Sequence, residues 1–487
     1  MKLLNRLLQG IDPIQIHGQD NVAIQSMTAD SRQVRRDSLF IARQGVQVDG
    51  HAFIEGAIQD GACAILCESM PSSIPDGVTV IQVINSHRAY AMLAANWHGN
   101  PSKDLQVVGV TGTNGKTTVA TLLHKLYMDS GIKSGLLSTI AVHIHNEQLP
   151  ATHTTPDAWD IQSHLAAMVT AGCKVAFMEV SSHGLAQERS HGIHFAGALF
   201  TNISRDHLDY HADMDEYVAI KKRLFDQLPS DAFALVNLDD KHGETMLLDC
   251  KARHFTYALQ RPATYKTKIL ESLVSGTLIS INTRECWLQI IGRFNAYNAT
   301  AIFGCCNLLG MVDSDALQAL SALQGVRGRF QRVMGPKSIM GIVDYAHTPD
   351  ALDNVLSTLK ELRQGNQRII TVIGCGGDRD KGKRPQMALI AANESDYSIL
   401  TSDNPRTEDP QAILRDMEQG LDAVIKRKAI TMADRAEAIK LACQQARPGD
   451  LILVAGKGHE TTQDIQGVKH NFDDVQHLKD NLQSIHG

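Results

Sequence analysis

Gly109-Val110-Thr111-Gly112-Thr113-Asn114-Gly115-Lys116-Thr117-Thr118, directly after the largely apolar run 105–108, is the stretch that decides the fold. A short strand that enters a Gly-rich turn and leaves as a helix, here from Thr117 to about Ser130, builds a cradle for phosphate. Gly112 and Gly115 let backbone N–H groups approach an anion, and the helix N-terminus adds the positive end of its dipole. Lys116 is placed to reach terminal phosphates, and the Thr117 hydroxyl to hold a magnesium ion. The spacing departs from the usual phosphate loop, because Val110 stands five residues before Gly115 where a glycine is customary. The plain alternative is a Gly-rich turn with an exposed lysine, and the flanking strand and helix speak against it.

Outward from this loop the chain shows apolar runs that end in polar clusters, at 175–180, 198–203 and 233–238. The same style returns at 340–343, 369–373, 398–400 and 451–454, with amphipathic stretches between. Continuous apolar strands alternating with helices predict parallel sheets covered on both faces, an α/β fold. Ligands in such sheets sit beyond the carboxyl ends of the strands, where these polar clusters fall. Asn100-Pro101 reads as a linker, so three domains are expected at 1–102, 103–333 and 334–487. A length of 487 residues suits that number.

Composition narrows the class. Hydrophobic residues make up 43% of the chain, enough for an ample core, and a net charge of −6 gives no general footprint for nucleic acid. The nine cysteines show no CxxC pair and read as thiols of a reducing compartment. The opening Met-Lys-Leu-Leu-Asn-Arg-Leu-Leu-Gln-Gly is short and broken by polar residues. It predicts neither a signal peptide nor a membrane span, and a cytoplasmic protein is expected.

Chemistry concentrates in the strand ends. Glu179, in Glu179-Val180-Ser181-Ser182-His183, is a carboxylate that could sit across from Thr117 and ligate magnesium; a buried structural glutamate is the alternative. Asn202-Ile203-Ser204-Arg205-Asp206-His207-Leu208-Asp209-Tyr210-His211 holds more acids and histidines than a loop needs for solubility. Tyr217-Val218-Ala219-Ile220-Lys221-Lys222 follows on an expected helix, where from residues alone Lys221 reads as an ordinary surface lysine.

The wording of the loop, from Thr111 to Thr118, resembles the ATP loop of the Mur ligases and their folate-polyglutamating relatives. Gly292-Arg293-Phe294-Asn295-Ala296-Tyr297-Asn298 and Asp344-Tyr345-Ala346-His347-Thr348-Pro349 continue the match, which covers essentially the whole chain. The resemblance implies an N-terminal UDP-binding α/β module, a central P-loop ATPase-like parallel sheet and a C-terminal Rossmann-like α/β domain. ATP would be bound by Gly112, Thr113, Asn114, Gly115, Lys116, Thr117 and Thr118, with Asn295, Asn298 and His347 near adenine and ribose. Catalysis would fall to Lys116, Glu179, His207 and Lys221. The family's Tyr-x-x-x-Lys spacing selects Lys221 over Lys222 as a lysine carbamylated by carbon dioxide, and Thr117, Glu179, His207 and the carbamate would hold Mg2+. Burial or a nearby cation would favour the neutral amine that this reaction needs.

At the N-terminus Thr28-Ala29-Asp30-Ser31-Arg32-Gln33-Val34, followed by Phe40 and Asp49-Gly50, resembles the family's UDP module. Ala29, Ser31, Val46, Gln47 and Val48 would meet the nucleotide sugar, and Thr154, Thr155, Ser181, Gln187 and Arg189 its muramoyl-dipeptide. Ser190 and Ala212 depart from residues usual in the family, and neither removes a ligand. Asp403-Asn404-Pro405-Arg406 resembles the signature of the members that add meso-2,6-diaminopimelate. The extra carboxylate of that amino acid suits a guanidinium fork from Arg406, with Arg379 as a second clamp. Gly456 and Glu460 would accept its distal ammonium. A site built to pair a charge rejects analogues that lack it by ~10⁴ or more.

The implied reaction is amide formation driven by ATP, on UDP-MurNAc-L-Ala-D-Glu, by way of an acyl phosphate. It implies a monomer at work in peptidoglycan synthesis, and so in cell-wall biogenesis, cell shape and division. Three other readings stay open. A lysine-adding or folate-polyglutamating ligase would share the chemistry, and Arg406 and the N-terminal module speak against it. A P-loop switch would hydrolyse nucleotide without a UDP-sugar. A dinucleotide enzyme would use Gly374-Cys375-Gly376, which lacks the third glycine at the right spacing.

Overall fold

A computed structural model describes residues 1–45 and 48–486. The chain divides into two compact units, each assembled from separated segments. The first combines Met1–Thr111, Gly131–Ala198 and Arg223–Ala232; the second combines Gly112–Ser130, Leu199–Lys222 and Phe233–Gly487.

In the first unit a five-stranded sheet has the order Gln15–His17, Thr79–Gln82, Ala62–Cys67, Ser38–Ile41, Ser26–Thr28. All neighbours are parallel except the first pair. Its three inner strands are apolar at consecutive positions because both faces are covered. Leu39, Ile41, Leu66 and Ile81 pack with Leu93 of the helix Ser86–Trp97, while Phe40, Ile65 and Val80 pack with Ile54 of the helix Ile54–Gln59. The strand Gln106–Thr111 pairs in parallel with Val175–Glu179, which pairs in parallel with Ser134–Leu137. The register puts Glu179 opposite Val110, one strand over from the residues that lead into the phosphate loop.

The second unit holds the helix Lys116–Asp129 and the parallel strands Phe233–Asn237, Arg253–Ala258 and Tyr265–Leu273. It also holds a six-stranded sheet of order Gln331–Met334, Met340–Asp344, Leu451–Ala455, Ile369–Cys375, Tyr397–Ser402, Ala429–Thr431. Only the first pair there is antiparallel. Alternate residues of its strands face opposite ways. Ile369, Ile373, Leu451 and Leu453 meet the helices Pro349–Leu362, Lys383–Glu394 and Pro410–Glu418. Ile370, Val372, Ile452 and Val454 meet Arg435–Gln445 and Asp474–His486. Pro349–Leu362 is entered through Thr348, whose hydroxyl accepts from Ala351 N, and Pro349 occupies the first turn. The stripe Leu352, Val355, Leu356, Leu359 and Leu362 is buried, at about 1.5–3 kcal/mol per side chain.

The α/β class and most of the expected strands stand, with two corrections. Antiparallel strands occur where only parallel ones were expected: Ala141–Ile144 with Glu147–Pro150, and Gly276–Ile281 between Tyr265–Leu273 and Arg284–Leu288. The strand expected at 198–203 runs over Phe195–Phe200, with Gly197, a residue that ordinarily weakens strands, in its middle. Thr201, Asn202 and Ile203 lie beyond the strand end.

Candidate functional site

The phosphate loop is held by the segment that follows Phe200. Thr113 N donates to Asn202 O at 2.7 Å, Asn114 N to Asn202 Oδ1 at 3.0 Å, and Thr201 Oγ1 to Asn114 O at 2.6 Å. Two glycines are required by space as well as by backbone. At Gly112 (φ 147°) a Cβ would lie 1.9 Å from Thr201 Oγ1, and at Gly115 (φ 88°) 2.8 Å from Asn298 Oδ1. Gly115 is the N-cap of Lys116–Asp129 and brings no side chain to its first-turn N–H groups, an arrangement that an anion completes. Lys116 Nζ donates to Gly112 O and Thr113 O, each at 2.9 Å.

A second lysine reaches the same carbonyl. Lys221, on the helix Met214–Asp226, is 1% exposed and donates from Nζ to Gly112 O at 2.9 Å. Its ammonium lies 4.6 Å from the centre of the Tyr217 ring, one helical turn earlier, and the Tyr217 hydroxyl meets Thr113 Oγ1 at 3.1 Å. Burial, reinforced by Lys116 and opposed by Asp206, pushes the Lys221 pKa well below the ordinary lysine value. Lys222 is only half-buried.

Asp206, which sequence reasoning did not single out, is buried within 3.4 Å of His207 Nε2 and 3.9 Å of His347 Nε2. Burial would raise its pKa, but His207, His347, Lys383 and Lys116 together hold it below the usual carboxylate range. His347 Nδ1 donates to Tyr345 O at 2.8 Å, and burial followed by Lys383 lowers its pKa to about 4. Arg329 was also missed. Its guanidinium donates to Thr117 Oγ1 at 3.1 Å and lies 4.4 Å from the centre of the Tyr345 ring. Beside the loop a cavity of about 370 Å³ is lined by Asn114, Gly115, Asn295, Asn298, Tyr345 and Asp350, among others. His347 is not part of that lining. Among the described residues no group of three or more His, Cys, Asp or Glu side chains is arranged to hold a metal ion.

In the first unit Glu179 is fully buried and accepts from Thr139 N at 2.7 Å and Thr139 Oγ1 at 3.2 Å. Thr139 Oγ1 also lies 3.0 Å from Thr154 Oγ1. Thr155 Oγ1 lies 2.9 Å from Glu179 O and 3.0 Å from Ser181 Oγ. Arg189 donates to Thr155 O at 2.7 Å and with two guanidinium nitrogens to Gln187 Oε1. One connected network therefore gathers Thr154, Thr155, Glu179, Ser181, Gln187 and Arg189. Ala29 and Ser31 follow the strand Ser26–Thr28, with Asp30 capping the turn that Ser31 begins. Val48 is exposed, and Val46 and Gln47 lie outside the described residues. Arg43, just before that stretch, pairs with Asp157 at 3.2 Å, two residues after Thr155.

The expected amine-recognising residues lie together at strand ends of the six-stranded sheet. Gly377 N donates to Asn404 O at 2.9 Å, and Arg406 Nη1 donates to Gly377 O. Gly456 (φ 113°) backs onto Asp403, whose Oδ2 would lie 2.6 Å from a Cβ there. Asn404 Nδ2 donates to Glu460 Oε2 at 2.8 Å, and the fully buried Lys457, not anticipated, donates to both Asn404 Oδ1 and Glu460 Oε2. Arg379 is exposed. Asp409, not the 403–406 turn, caps the next helix. The helix after Gly374-Cys375-Gly376 begins only at Lys383, so these glycines do not open a dinucleotide-type helix.

Three family models match the chain: Mur ligase family, catalytic domain, over 23–98; Mur ligase middle domain over 110–306; and Mur ligase, glutamate ligase domain, over 328–458. The UDP-N-acetylmuramoyl-L-alanyl-D-glutamate–2,6-diaminopimelate ligase of Bacteroides fragilis is 50% identical over 477 residues, 98% of each chain. The protein of that name from Bacteroides thetaiotaomicron is 50% identical over 478 residues, 98% of this chain and 99% of its own. A solved structure of a ligase of that name superposes with a TM-score of 0.69 at 33% identity, covering 99% of both chains.

Proposed function

The chain belongs to the Mur ligase family, and we propose that it joins meso-2,6-diaminopimelate to the D-glutamate of UDP-MurNAc-L-Ala-D-Glu, an ATP-driven step of peptidoglycan precursor synthesis. It is an ATP-dependent, amide-forming ligase. The observation that carries the site assignment is the phosphate loop whose Gly112 carbonyl is met by both Lys116 and the buried Lys221.

A carboxylate is a poor acyl donor. Transfer of the γ-phosphoryl group of ATP to the D-glutamate side chain makes an acyl phosphate; the amine of diaminopimelate then attacks the acyl carbon and phosphate leaves. Gly112, Thr113, Asn114, Gly115, Thr117 and Thr118 form the phosphate cradle: the N–H groups of Thr113 and Asn114 fix its shape against Asn202, the first turn of the helix Lys116–Asp129 faces the phosphates, and Lys116 leaves the loop carbonyls for the terminal phosphates. Arg329, already on Thr117, adds a second cation there. Asn295 and Asn298 line the cavity where adenine and ribose would lie, with His347 nearby on the Asp206 side.

Magnesium, bound with ATP, would neutralise charge on the transferring phosphoryl group. Thr117, Glu179, His207 and Lys221 are the residues that would hold it. The donor chemistry fits on one condition: a lysine amine is no magnesium ligand, whereas its carbamate offers two oxygens. Reaction of the neutral Lys221 amine with CO2 forms the N–C bond and releases one proton. The buried setting beside Lys116 favours that neutral amine.

Ala29, Ser31, Val46, Gln47 and Val48 would bind the nucleotide sugar, and the network around Thr155 and Arg189 the peptide. Arg379, Asp403, Asn404, Pro405, Arg406, Gly456 and Glu460 would bind diaminopimelate. We divide the chain into domains at 1–102, 103–333 and 334–487, a reading supported by family models that match three separate spans, 23–98, 110–306 and 328–458. We place the protein in the cytoplasm as a monomer; among the described residues no helix is long and apolar enough to cross a membrane.

Phosphate release from ATP tests the proposal, with UDP-MurNAc-L-Ala-D-Glu and either meso-diaminopimelate, L-lysine or no amine. Release with diaminopimelate alone is expected. Release with lysine overturns the amine assignment, and release without the UDP-sugar favours a nucleotide switch.

A further inference from the structure

Arg384 and Arg435 are the two fully buried arginines among the largest buried side chains of the described residues, and Arg384 sits in the first turn of the helix Lys383–Glu394, the end where a cation is least favoured. Its guanidinium forks onto Glu408, with Nη1 to Oε2 at 3.0 Å and Nη2 to Oε1 at 2.8 Å. Nη1 also reaches Asp416 Oδ2 at 2.8 Å, and Nη2 reaches Gly376 O at 3.2 Å. Glu408 and Asp416 are only half-buried, and ion pairs that solvent reaches add little stability, so holding the fold together is a weak reason for this one.

The contacts fall on two particular loops. Glu408 Oε1 accepts from Asp378 N at 2.6 Å, next to Arg379. Thr407, next to Arg406, donates from Oγ1 to the Asp378 carboxylate at 2.8 Å and 2.9 Å. Gly377 is pressed so closely to the other loop that a Cβ would lie 1.9 Å from Pro405 O. Asp378 (φ 53°) and Arg406 (φ 52°) both occupy the left-handed region, a strained conformation that persists only where neighbours enforce it.

We propose that Arg384 and Glu408 are positioning residues for amine selectivity: their two-pronged pairing fixes the loop that carries Arg379 against the turn that carries Arg406. This rests on the reading of 376–380 and 403–406 as the amine-recognising segments. Two guanidinium groups can clamp one carboxylate only if their separation is fixed, and the Arg384–Glu408 pair ties their backbones to each other. Asp416, on the helix Pro410–Glu418, holds only the outer side of Arg384 and touches neither loop through the contacts described above.

Steady-state kinetics of Glu408→Gln, Arg384→Lys and Asp416→Asn test this, with KM measured for each substrate and kcat/KM compared between diaminopimelate and L-lysine. Glu408→Gln and Arg384→Lys are expected to raise KM for diaminopimelate about tenfold to hundredfold, the scale of small misplacements in a binding site. They narrow the diaminopimelate-to-lysine ratio and leave KM for ATP unchanged. Asp416→Asn keeps the wild-type ratio. A lower melting temperature and kcat with an unchanged ratio in the first two variants overturns the proposal and leaves a structural pair. Should Arg384→Lys not fold, the near-isosteric Glu408→Gln decides alone. A wild-type enzyme that prefers lysine overturns the diaminopimelate reading only, and the ratio then tests the pair on lysine. A wild type indifferent to the amine overturns both.

Discussion

Lys221 shows what a single position reveals only in three dimensions. Its sequence neighbourhood is that of a surface helix, and only the family's Tyr-x-x-x-Lys spacing separates it from Lys222; burial against Gly112 and Tyr217 supplies the physical difference. Lys221→Ala is expected to be nearly inactive, with acetate restoring part of the activity by supplying the missing oxygens. Incubation with 13C-bicarbonate should give a carbamate carbon signal in wild type and none in the variant; full activity of the variant would remove the carbamate from the mechanism. Arg406→Lys keeps the charge and loses the fork, so ATP binding persists while kcat/KM for diaminopimelate falls about a hundredfold or more. Kinetics unchanged from wild type would exclude Arg406 as the carboxylate clamp. Arg329, Thr139 and Lys457 were illegible for a different reason. Arg329 and Thr139 stand in no local motif and take their roles from partners far along the chain, as Arg329 meets Thr117, while Lys457 lies inside the 456–460 stretch but shows its link to Asn404 only in the fold.

At the scale of elements, the sequence was most legible where burial on both faces forces unbroken apolar runs, as in Ile369–Cys375 and Leu451–Ala455. Legibility failed at Ala141–Ile144, a four-residue strand that His143 interrupts, at Glu147–Pro150, whose largely exposed residues carry no such run, and at Tyr265–Leu273, which is exposed over most of its length. The turn between Gln106–Thr111 and Lys116–Asp129 was read correctly from its glycines, and the structure adds the steric reason. Gly112→Ala would drive a Cβ into Thr201 and demand a backbone angle that L residues rarely adopt. Isothermal titration should find ATP binding lost in that variant even if circular dichroism shows the fold retained. Wild-type affinity would mean that Thr201 can step aside.

Across the whole molecule, any ligand that binds the folded state alone stabilises it. Saturating ATP at a hundred times its Kd should add about 2.7 kcal/mol, seen as a rise in melting temperature. Lys116→Ala should abolish that rise, whereas a rise of equal size in the variant would place the nucleotide elsewhere. The phosphate loop also belongs to a unit whose segments are scattered, with Gly112–Ser130 joined to Leu199–Lys222 and to everything from Phe233 onward. That layout sets a timetable. During synthesis the loop emerges from the ribosome well before Asn202, Lys221, Asn298 and Arg329, the residues that shape it. The nascent chain therefore carries an unfinished nucleotide cradle until its second half has been made, and a messenger cut short in that half yields a protein that cannot consume ATP.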